Sequence, residues 1–394
     1  YVTGGFSGSL GSSIPALPTF GGIDSFVIEV AGDAAPIDAR SFGGATDDYG
    51  NEIDADAVAV AVAVNATSGL TVPGLGSTPQ GGGDEGFVVV LDAPLQPRAV
   101  LQVGGSGSAL VRAVAVSGGV VTFAGECMGE LSLFDTRKSC DAATDGYVAQ
   151  WDRATTRSWV RFAEGAGLQS VRGIGVDARG RVTALGRFEP EAVVDGRIVL
   201  SSVGARDLFV WQMDAFGLTE RAFAVGSPGL DEGGELVVAD TGVFSIAGHF
   251  RGEPALKPAL PSTGYRGAGD EYVLSFSSDG RLIGLSRGGG TGAETHYAMA
   301  ETAFGNVSVG TFSGNTRFGS ATAESSGLYI AFRTMLPGPM QRSTQVGDGE
   351  KGGTPPGPDG CRPTSGVVTL QGCMHPTSPP TPRSPHRRAN SPTR

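Results

Sequence analysis

The stretch Val111-Arg112-Ala113-Val114-Ala115-Val116, followed by Ser117-Gly118-Gly119 and Val120-Val121-Thr122-Phe123-Ala124-Gly125, decides the fold class. Two apolar runs flank a short turn with two glycines, which is the pattern of a β-hairpin. The second run ends in glycine, and related runs recur along the chain. They are residues 182–186, 243–248 and 307–310, with residues 1–4 at the start and residues 60–65 as a weaker counterpart. The chain is therefore built from repeats.

Two further features mark each repeat. An acidic residue stands just before an aromatic strand, and a glycine-rich turn follows about seventeen residues later. The first feature comprises Asp24 before Phe26, Asp84 before Phe87, Asp145 before Tyr147, Asp207 before Phe209 and Asp270 before Tyr272, with a weaker match at Tyr329. The second comprises Gly43-Gly44, Gly104-Gly105, Gly165, Gly226 and Gly288-Gly289.

Each repeat of about sixty-one residues offers about four strands. We expect one in the variable stretch after the terminal glycine, one at the aromatic residue, one before the glycine turn with its valine-rich continuation, and the closing strand. Four-stranded units that cannot bury their faces alone are typical of a β-propeller. The sequence predicts an all-β propeller with five clear blades and a partial sixth, a fragment or an incompletely closed ring. A β-solenoid is the alternative.

The repeats resemble the bacterial seven-bladed β-propeller repeat (SBBP-type) of exported proteins and surface lipoproteins. The resemblance rests on Gly5-Phe6-Ser7-Gly8, Gly248-His249-Phe250-Arg251-Gly252 and Gly310-Thr311-Phe312-Ser313-Gly314, together with the features above. It covers roughly residues 1–335. It implies a propeller fold and export, but no particular activity, because the motif is structural.

We expect residues 1–335 to form the propeller repeats and residues 336–394 to form a separate tail. The tail is rich in Pro, Gly, Ser and Arg, a composition that cannot bury a core, so we expect disorder. Residues 365–373 resemble a closing strand, which leaves a decayed repeat, a linker and an out-of-frame extension open. Because Tyr1-Val2-Thr3-Gly4 matches the end of a repeat, we expect the true N-terminus and any signal peptide upstream.

Charge and cysteine content bear on partners and compartment. The net charge is −11, and an acidic surface repels phosphate backbones, so we expect no nucleic-acid partner. No run of eighteen apolar residues is present, so we expect no transmembrane segment. Cys127 and Cys140 flank a variable stretch with no His or third Cys beside them, which predicts a disulfide and an exported protein. Cys361 and Cys373 form a second short-range pair.

Two acidic patterns are candidate sites. The run that contains Asp47, Asp48, Asp54 and Asp56 could supply oxygen ligands to calcium, although it lacks the spacing of a calcium-binding hand. A solvated acidic turn is the alternative. The recurring acidic residue before each aromatic strand would stand in a ring at equivalent strand ends. Such a ring could hold a cation, or each carboxylate could cap its own turn.

The sequence contains no phosphate-binding motif and no metal-binding histidine pair, and we predict no catalytic residue. We therefore expect a non-enzymatic propeller at the cell surface or outside the cell, acting as a structural module or binding a protein or glycan ligand. A propeller enzyme acting on polysaccharide, a glycoside hydrolase or a lyase, is the alternative. It would need two carboxylates in a deep central pocket.

Overall fold

A computed structural model describes residues 1–10, 14, 16–252, 267, 269–302, 305–318, 321–323 and 326–333. Every regular element in these ranges is a β-strand, which confirms the all-β class. Accordingly, this part of the chain contains no helix with the length and apolarity needed to cross a membrane. The tail predicted for residues 336–394, with Cys361 and Cys373, lies outside the described residues.

Within the described residues, the strands form six sheets of three or more strands that follow one another along the chain, and one separate two-stranded hairpin. Neighbouring strands pair antiparallel. Sheet 1 contains β1 (Val2–Phe6), β2 (Asp24–Val30) and β3 (Pro36–Phe42). Sheet 2 contains β4 (Asp48–Ala55) and β5 (Val60–Ala66) and, after a hairpin of β6 (Thr71–Val72) and β7 (Gly76–Ser77), β8 (Glu85–Asp92) and β9 (Gln96–Val103). Sheet 3 contains β10 (Ser108–Ser117), β11 (Val120–Leu133), β12 (Thr136–Asp152) and β13 (Ser158–Glu164).

The remaining three sheets have the same order. Sheet 4 contains β14 (Gln169–Val176) and β15 (Val182–Phe188) and, after a hairpin of β16 (Glu191–Val194) and β17 (Ile198–Ser201), β18 (Asp207–Met213) and β19 (Thr219–Val225). Sheet 5 contains β20 (Glu232–Val238), β21 (Phe244–Phe250), β22 (Asp270–Phe276) and β23 (Leu282–Gly290). Sheet 6 contains β24 (Glu294–Thr302) and β25 (Gly305–Ser313) and, after a hairpin of β26 (Thr316–Phe318) and β27 (Ala321–Ala323), β28 (Ser326–Arg333).

The variable stretch after the closing strand differs from its prediction. It does not supply one of the four main strands of its own sheet. In sheets 4 and 6 it forms a hairpin that pairs with the last strand of the preceding sheet, β16 with β13 and β26 with β23. In sheet 2 it forms the separate hairpin of β6 and β7, and in sheet 3 it extends β11 and β12. The glycine turn divides the predicted third strand from its valine-rich continuation, which becomes the first strand of the next sheet. In sheets 4 and 6 the variable stretch therefore covers the open edge of the preceding sheet.

The hairpin predicted around Ser117-Gly118-Gly119 is confirmed. β10 and β11 pair from Ser117 opposite Val120 outward. Gly118 and Gly119 have φ angles of 60° and 78°. Two successive residues with positive φ form the tight turn whose twist matches that of paired strands, and glycine adopts it without steric strain.

The hydrophobic core is divided among the spaces between sheets. In β5, Val60, Val62 and Val64 pack toward sheet 1, whereas Ala61 and Ala63 pack toward sheet 3. Both faces of an inner strand are therefore apolar, because alternate side chains point to opposite sides of a sheet. The other spaces are filled in the same way by residues of sheets 3 and 4, 4 and 5, and 5 and 6. The sheets thus stack face to face in chain order.

The predicted disulfide is confirmed. Cys127 on β11 and Cys140 on β12 are bonded, with their Cα atoms 5.9 Å apart. Both side chains are buried between sheets 2 and 3. The bond ties the base of the extension that β11 and β12 make beyond their main sheet, where a bulge interrupts the register after Cys127.

Candidate functional site

The acidic residue before an aromatic strand caps a turn at one end of its sheet. Asp24 accepts a hydrogen bond from the backbone N–H of Phe20 at 2.9 Å, and Asp207 accepts one from Val203 at 2.7 Å. Both carboxylates are fully buried. Of the two roles considered for this position, the structure shows the turn cap at these residues.

Sheet 2 uses a different residue at this position from the one predicted. Asp84 is exposed, and Glu85 begins the aromatic strand opposite Ala66, just as Asp24 stands opposite Phe6 in sheet 1. Glu85 is buried, and burial raises its pKa although it accepts a hydrogen bond from Gly81. Asp84 is therefore not one of the capping residues. In sheet 2 the turn is capped by Glu85, whose longer side chain reaches the turn from one position later.

The calcium candidates lie in two pairs at opposite ends of β4. Asp47 precedes the strand and accepts a hydrogen bond from the backbone N–H of Ile23. Asp48 begins the strand and accepts one from the backbone N–H of Gly44. Asp54 accepts one from Val116, and Asp56 accepts bonds from Val58, Ala59 and Gly119. At about 3.3 Å per residue, Asp48 and Asp54 are roughly 20 Å apart along the strand. Among the described residues, no three potential metal ligands cluster together, and calcium binding stays a prediction.

A cleft of about 410 Å³ opens between sheets 3 and 4 at the end that carries the hairpin turns, opposite the acidic caps. We call it the turn-end cleft. It is lined by Ser117, Val120, Gln150, Asp152, Arg157, Ser158, Trp159, Val176, Gly180, Ala215 and Phe216. These residues come from four hairpin turns and the strand ends beside them, which a rigid pair of sheets holds in place.

Trp159 forms one wall of the turn-end cleft, and its orientation is fixed. Its indole N–H donates to Gln150 Oε1 at 3.0 Å, and the Gln150 amide donates in turn to Thr122 at 3.0 Å. The Arg161 guanidinium lies 5.7 Å from the ring centroid, within cation–π range. The turn at Gly217 packs against the ring, where a β-carbon would come within 2.6 Å. The ring is therefore preorganised.

Phe216 stands at the tip of the turn beside this wall. Its side chain is 71% exposed. The turn itself is tight: Asp214 Oδ1 accepts hydrogen bonds from Phe216 and Leu218 at 2.9 and 2.8 Å, and Gly217 has a φ of 75°. The exposed ring is thus carried on a rigid turn.

The polar groups of the turn-end cleft include both signs of charge. Hydrogen bonds from the Thr155 hydroxyl, and from the backbone of Ala154 and Thr155, hold the pKa of Asp152 below its usual range. Asp152 is therefore ionised at neutral pH and faces the exposed Arg157 on the same turn. A general acid for glycoside cleavage needs a raised pKa, which Asp152 lacks.

A second candidate region lies along the first strands of the sheets. Each of β4, β10, β14, β20 and β24 has a register shift at the same place relative to its neighbour. The bulged residues are Asn51, Arg112, Arg172, Gly234 and Tyr297. A bulge changes the direction of a side chain, and here the five bulged positions carry four different residue types at equivalent places in the sheets.

Part of this region is acidic. Burial, and after it the charges of Glu235 and Asp54, raises the pKa of Glu52 to about 8. Glu235 also has a raised pKa because it is buried. Glu52 lies on β4 in sheet 2 and Glu235 on β20 in sheet 5, so carboxyl groups from sheets that are not neighbours along the chain lie within electrostatic reach.

The other part is rich in arginine. Glu126 accepts hydrogen bonds from Arg112 at 2.6 and 3.0 Å and lies 3.4 Å from Arg172. Burial opposes ionisation of Glu126, but bonds from Ser170 and Arg112 lower its pKa below the usual range. The carboxylate is therefore shared between the first strands of sheets 3 and 4.

Neither the turn-end cleft nor the bulged residues were predicted from the sequence. The cleft residues are spread from Ser117 to Phe216, and no local motif connects them. The bulged residues carry a weak signal, because they sit in the valine-rich stretch at a fixed distance before each hairpin turn. Their variation within a regular repeat could have identified them.

The chain matches no family model, and no curated protein matches it either. A function for this chain therefore has to be argued from the geometry above.

Proposed function

We propose that the chain is a β-propeller, with sheets 1–6 as its blades, that binds a carbohydrate in the turn-end cleft. The path of contacts between sheets supports the architecture. β1 contacts β4, and from there each first strand contacts the next, through β10, β14 and β20 to β24. Blades of a propeller meet in this way, with their first strands side by side around a central channel.

The acidic part of the first-strand region supports the same architecture. In a straight stack, Glu52 of sheet 2 and Glu235 of sheet 5 would be separated by three sheet-to-sheet spacings of about 10 Å each. Their charges nevertheless interact, since Glu235 raises the pKa of Glu52. First strands that curve around a common axis would bring the two carboxyl groups together.

The proposal includes export and membership of the SBBP-type repeat family. The Cys127–Cys140 disulfide supports export, because such bonds form and persist in oxidising compartments. The repeats support the family through their glycine, acidic and aromatic positions. The structure gives these a physical reason: Gly226, for example, packs against the carboxyl group of Asp207.

The pairing of Trp159 and Phe216 beside two charged groups carries the ligand assignment. A sugar ring presents C–H groups on its faces and hydroxyls at its edge. Aromatic walls suit the faces, and Asp152, Arg157 and Ser158 suit hydroxyls that donate and accept. The cleft volume of about 410 Å³ falls within the usual range for small-molecule sites. A single carboxylate lines it among the described residues, which fits binding rather than hydrolysis.

Calorimetry with a panel of glucose, galactose, mannose, N-acetylglucosamine and cellobiose tests the proposal. We expect at least one sugar to bind, and Trp159→Ala and Phe216→Ala to weaken binding at least about tenfold. Ile37→Ala removes an exposed apolar side chain on sheet 1 and should leave binding unchanged. If no sugar binds, or if both cleft variants bind as the wild type does, the carbohydrate assignment is wrong.

Cleavage of polysaccharide is the second candidate, and the Glu52 and Glu235 pair favours it. The pKa of Glu52, at about 8, keeps its carboxyl group protonated at neutral pH, as the general acid of a glycosidase must be. Release of reducing ends from β-glucan and from chitin oligomers would support this reading if Glu52→Gln abolished it. Activity that persists in Glu52→Gln would exclude the pair as its source.

A further inference from the structure

The residue after the closing-strand glycine faces the first strand of the following sheet. In sheet 2 this residue is Asn65, whose side chain bonds both the N–H and the C=O of Val111 in sheet 3, at 2.9 and 3.0 Å. In sheet 3 it is Glu126, which pairs with the bulged Arg172 of sheet 4. Sheets 2 and 3 are thus each linked to the next sheet through this position and the bulged region that it meets.

Sheet 4 breaks the pattern. The equivalent residue is Arg187, opposite Ser170 on β14 and Leu208 on β18. The bulged residue of sheet 5 is Gly234, which has no side chain to accept a hydrogen bond. Arg187 Nε is buried, and within the described part of the chain no acceptor lies within hydrogen-bond distance of it. A partly buried guanidinium without a hydrogen-bond partner destabilises the folded state, so an acceptor bound at this position would stabilise it.

The acidic groups nearby are already in use. Glu126 is held by Arg112 and Arg172. Glu189 and Glu232 both pair with Arg206. After burial, the charge of Arg206 is the largest influence that lowers the pKa of Arg187. Arg187 therefore adds a positive charge to a group of arginines whose carboxylates are committed to other partners.

We propose that Arg187 binds an oxyanion, a carboxylate or a sulfate, beside Gly234 between sheets 4 and 5. A guanidinium offers parallel N–H groups that match two oxygens of such an anion, so the ligand would take the place that a side chain fills in the preceding sheet. The site lies at the end of the sheets that carries the acidic caps, away from the turn-end cleft, and does not depend on carbohydrate binding.

Thermal unfolding in sodium sulfate, sodium acetate and sodium chloride, matched for ionic strength, tests the proposal. We expect sulfate or acetate to raise the melting temperature above that in chloride. The anion with the larger effect shows whether the site prefers a sulfate or a carboxylate. Arg187→Gln should fold without the anion, since it removes an unpaired charge, and should lose the anion-dependent shift. Arg157→Gln, on the far end of sheet 3, should keep it.

A second pair of variants tests the geometry. Gly234→Asp places a carboxylate where the ligand is proposed, so it should remove the response to anions. Gly234→Ala is its control and should retain the response; its β-carbon would lie 3.2 Å from Arg172 Cβ, a contact that a shift of a few tenths of an ångström between the two strands relieves. Equal shifts in wild type and Arg187→Gln, or no shift in the wild type with either anion, would overturn the proposal.

Discussion

The carboxyl group of Asp207 occupies the space where a side chain on Gly226 would begin. A β-carbon on Gly226 would lie 2.0 Å from Asp207 Cγ. Asp207 is buried and accepts the hydrogen bond that closes its turn, so it cannot retreat into solvent. The same contact joins Asp24 to Gly43 and Asp270 to Gly289. The acidic and glycine positions of the repeat are therefore two halves of one contact.

Gly226→Ala should consequently destabilise the protein. Overpacking and loss of the buried cap together should lower the free energy of unfolding by about 3 kcal/mol. Chemical unfolding followed by tryptophan fluorescence measures this. Gly32→Ala is the control, because nothing lies within 4 Å of its β-carbon position, and it should change stability by less than about 0.5 kcal/mol. Equal effects would show that the carboxyl contact is not what requires glycine.

The disulfide gives a second prediction. The bond closes a loop between residues separated by 13 positions, and chain-entropy arguments for that size give about 3 kcal/mol. We expect Cys127→Ala/Cys140→Ala to unfold at lower denaturant concentration by that amount. Dithiothreitol should destabilise the wild type more than it destabilises the double variant. A reductant effect of equal size in both proteins would assign it to other cysteines.

The sequence predicted the strands well, because their signals are local. Alternating apolar residues, a turn such as Ser117-Gly118-Gly119 and glycine endings each act over a few residues. The assignment of strands to sheets was less accurate. Whether the stretch between Phe188 and Asp207 joins its own sheet or the preceding one depends on which edge is open, and that is a property of the assembled fold.

The candidate sites were harder to predict, because they depend on distant residues. Trp159 and Phe216 are separated by a whole repeat and meet only because two sheets are adjacent. That Glu85 rather than Asp84 takes the capping position in sheet 2 could be recognised only from the strand register. The disulfide was predictable, since Cys127 and Cys140 lie on either side of one local excursion.

The Glu126 carboxylate should stabilise the junction of sheets 3 and 4. Glu126→Gln keeps the shape but leaves Arg112 and Arg172 without their shared anion. Both arginines retain about a quarter of their exposure, so the loss should be about 1–3 kcal/mol, below that of a fully buried pair. Asp38→Asn, which breaks the more exposed pair with Arg40, should cost less than about 1 kcal/mol. Equal losses in the two variants would contradict this role.

Stability should fall as the pH rises from about 4 to about 8. Burial is the main cause that raises the pKa of Asp48 and Asp231 to about 6, of Glu294 to about 7 and of Glu52 to about 8. An unfolded carboxyl group titrates near 4. Between those values the folded state holds more protons than the unfolded state, so raising the pH favours unfolding. Urea unfolding at pH 5, 6, 7 and 8 should show the decline.

Glu52 should account for the upper part of that decline, since its pKa is the highest of the four. Glu52→Gln cannot ionise, so its unfolding free energy should fall less steeply than that of the wild type between pH 6 and 8. Removing its charge also relieves the repulsion of Glu235 across the first strands. The exposed Glu191 gives the matched control Glu191→Gln, which should follow the wild-type profile. A Glu52→Gln profile parallel to that of the wild type would mean that the two carboxyl groups do not meet, and would remove the main electrostatic support for sheets arranged around one axis.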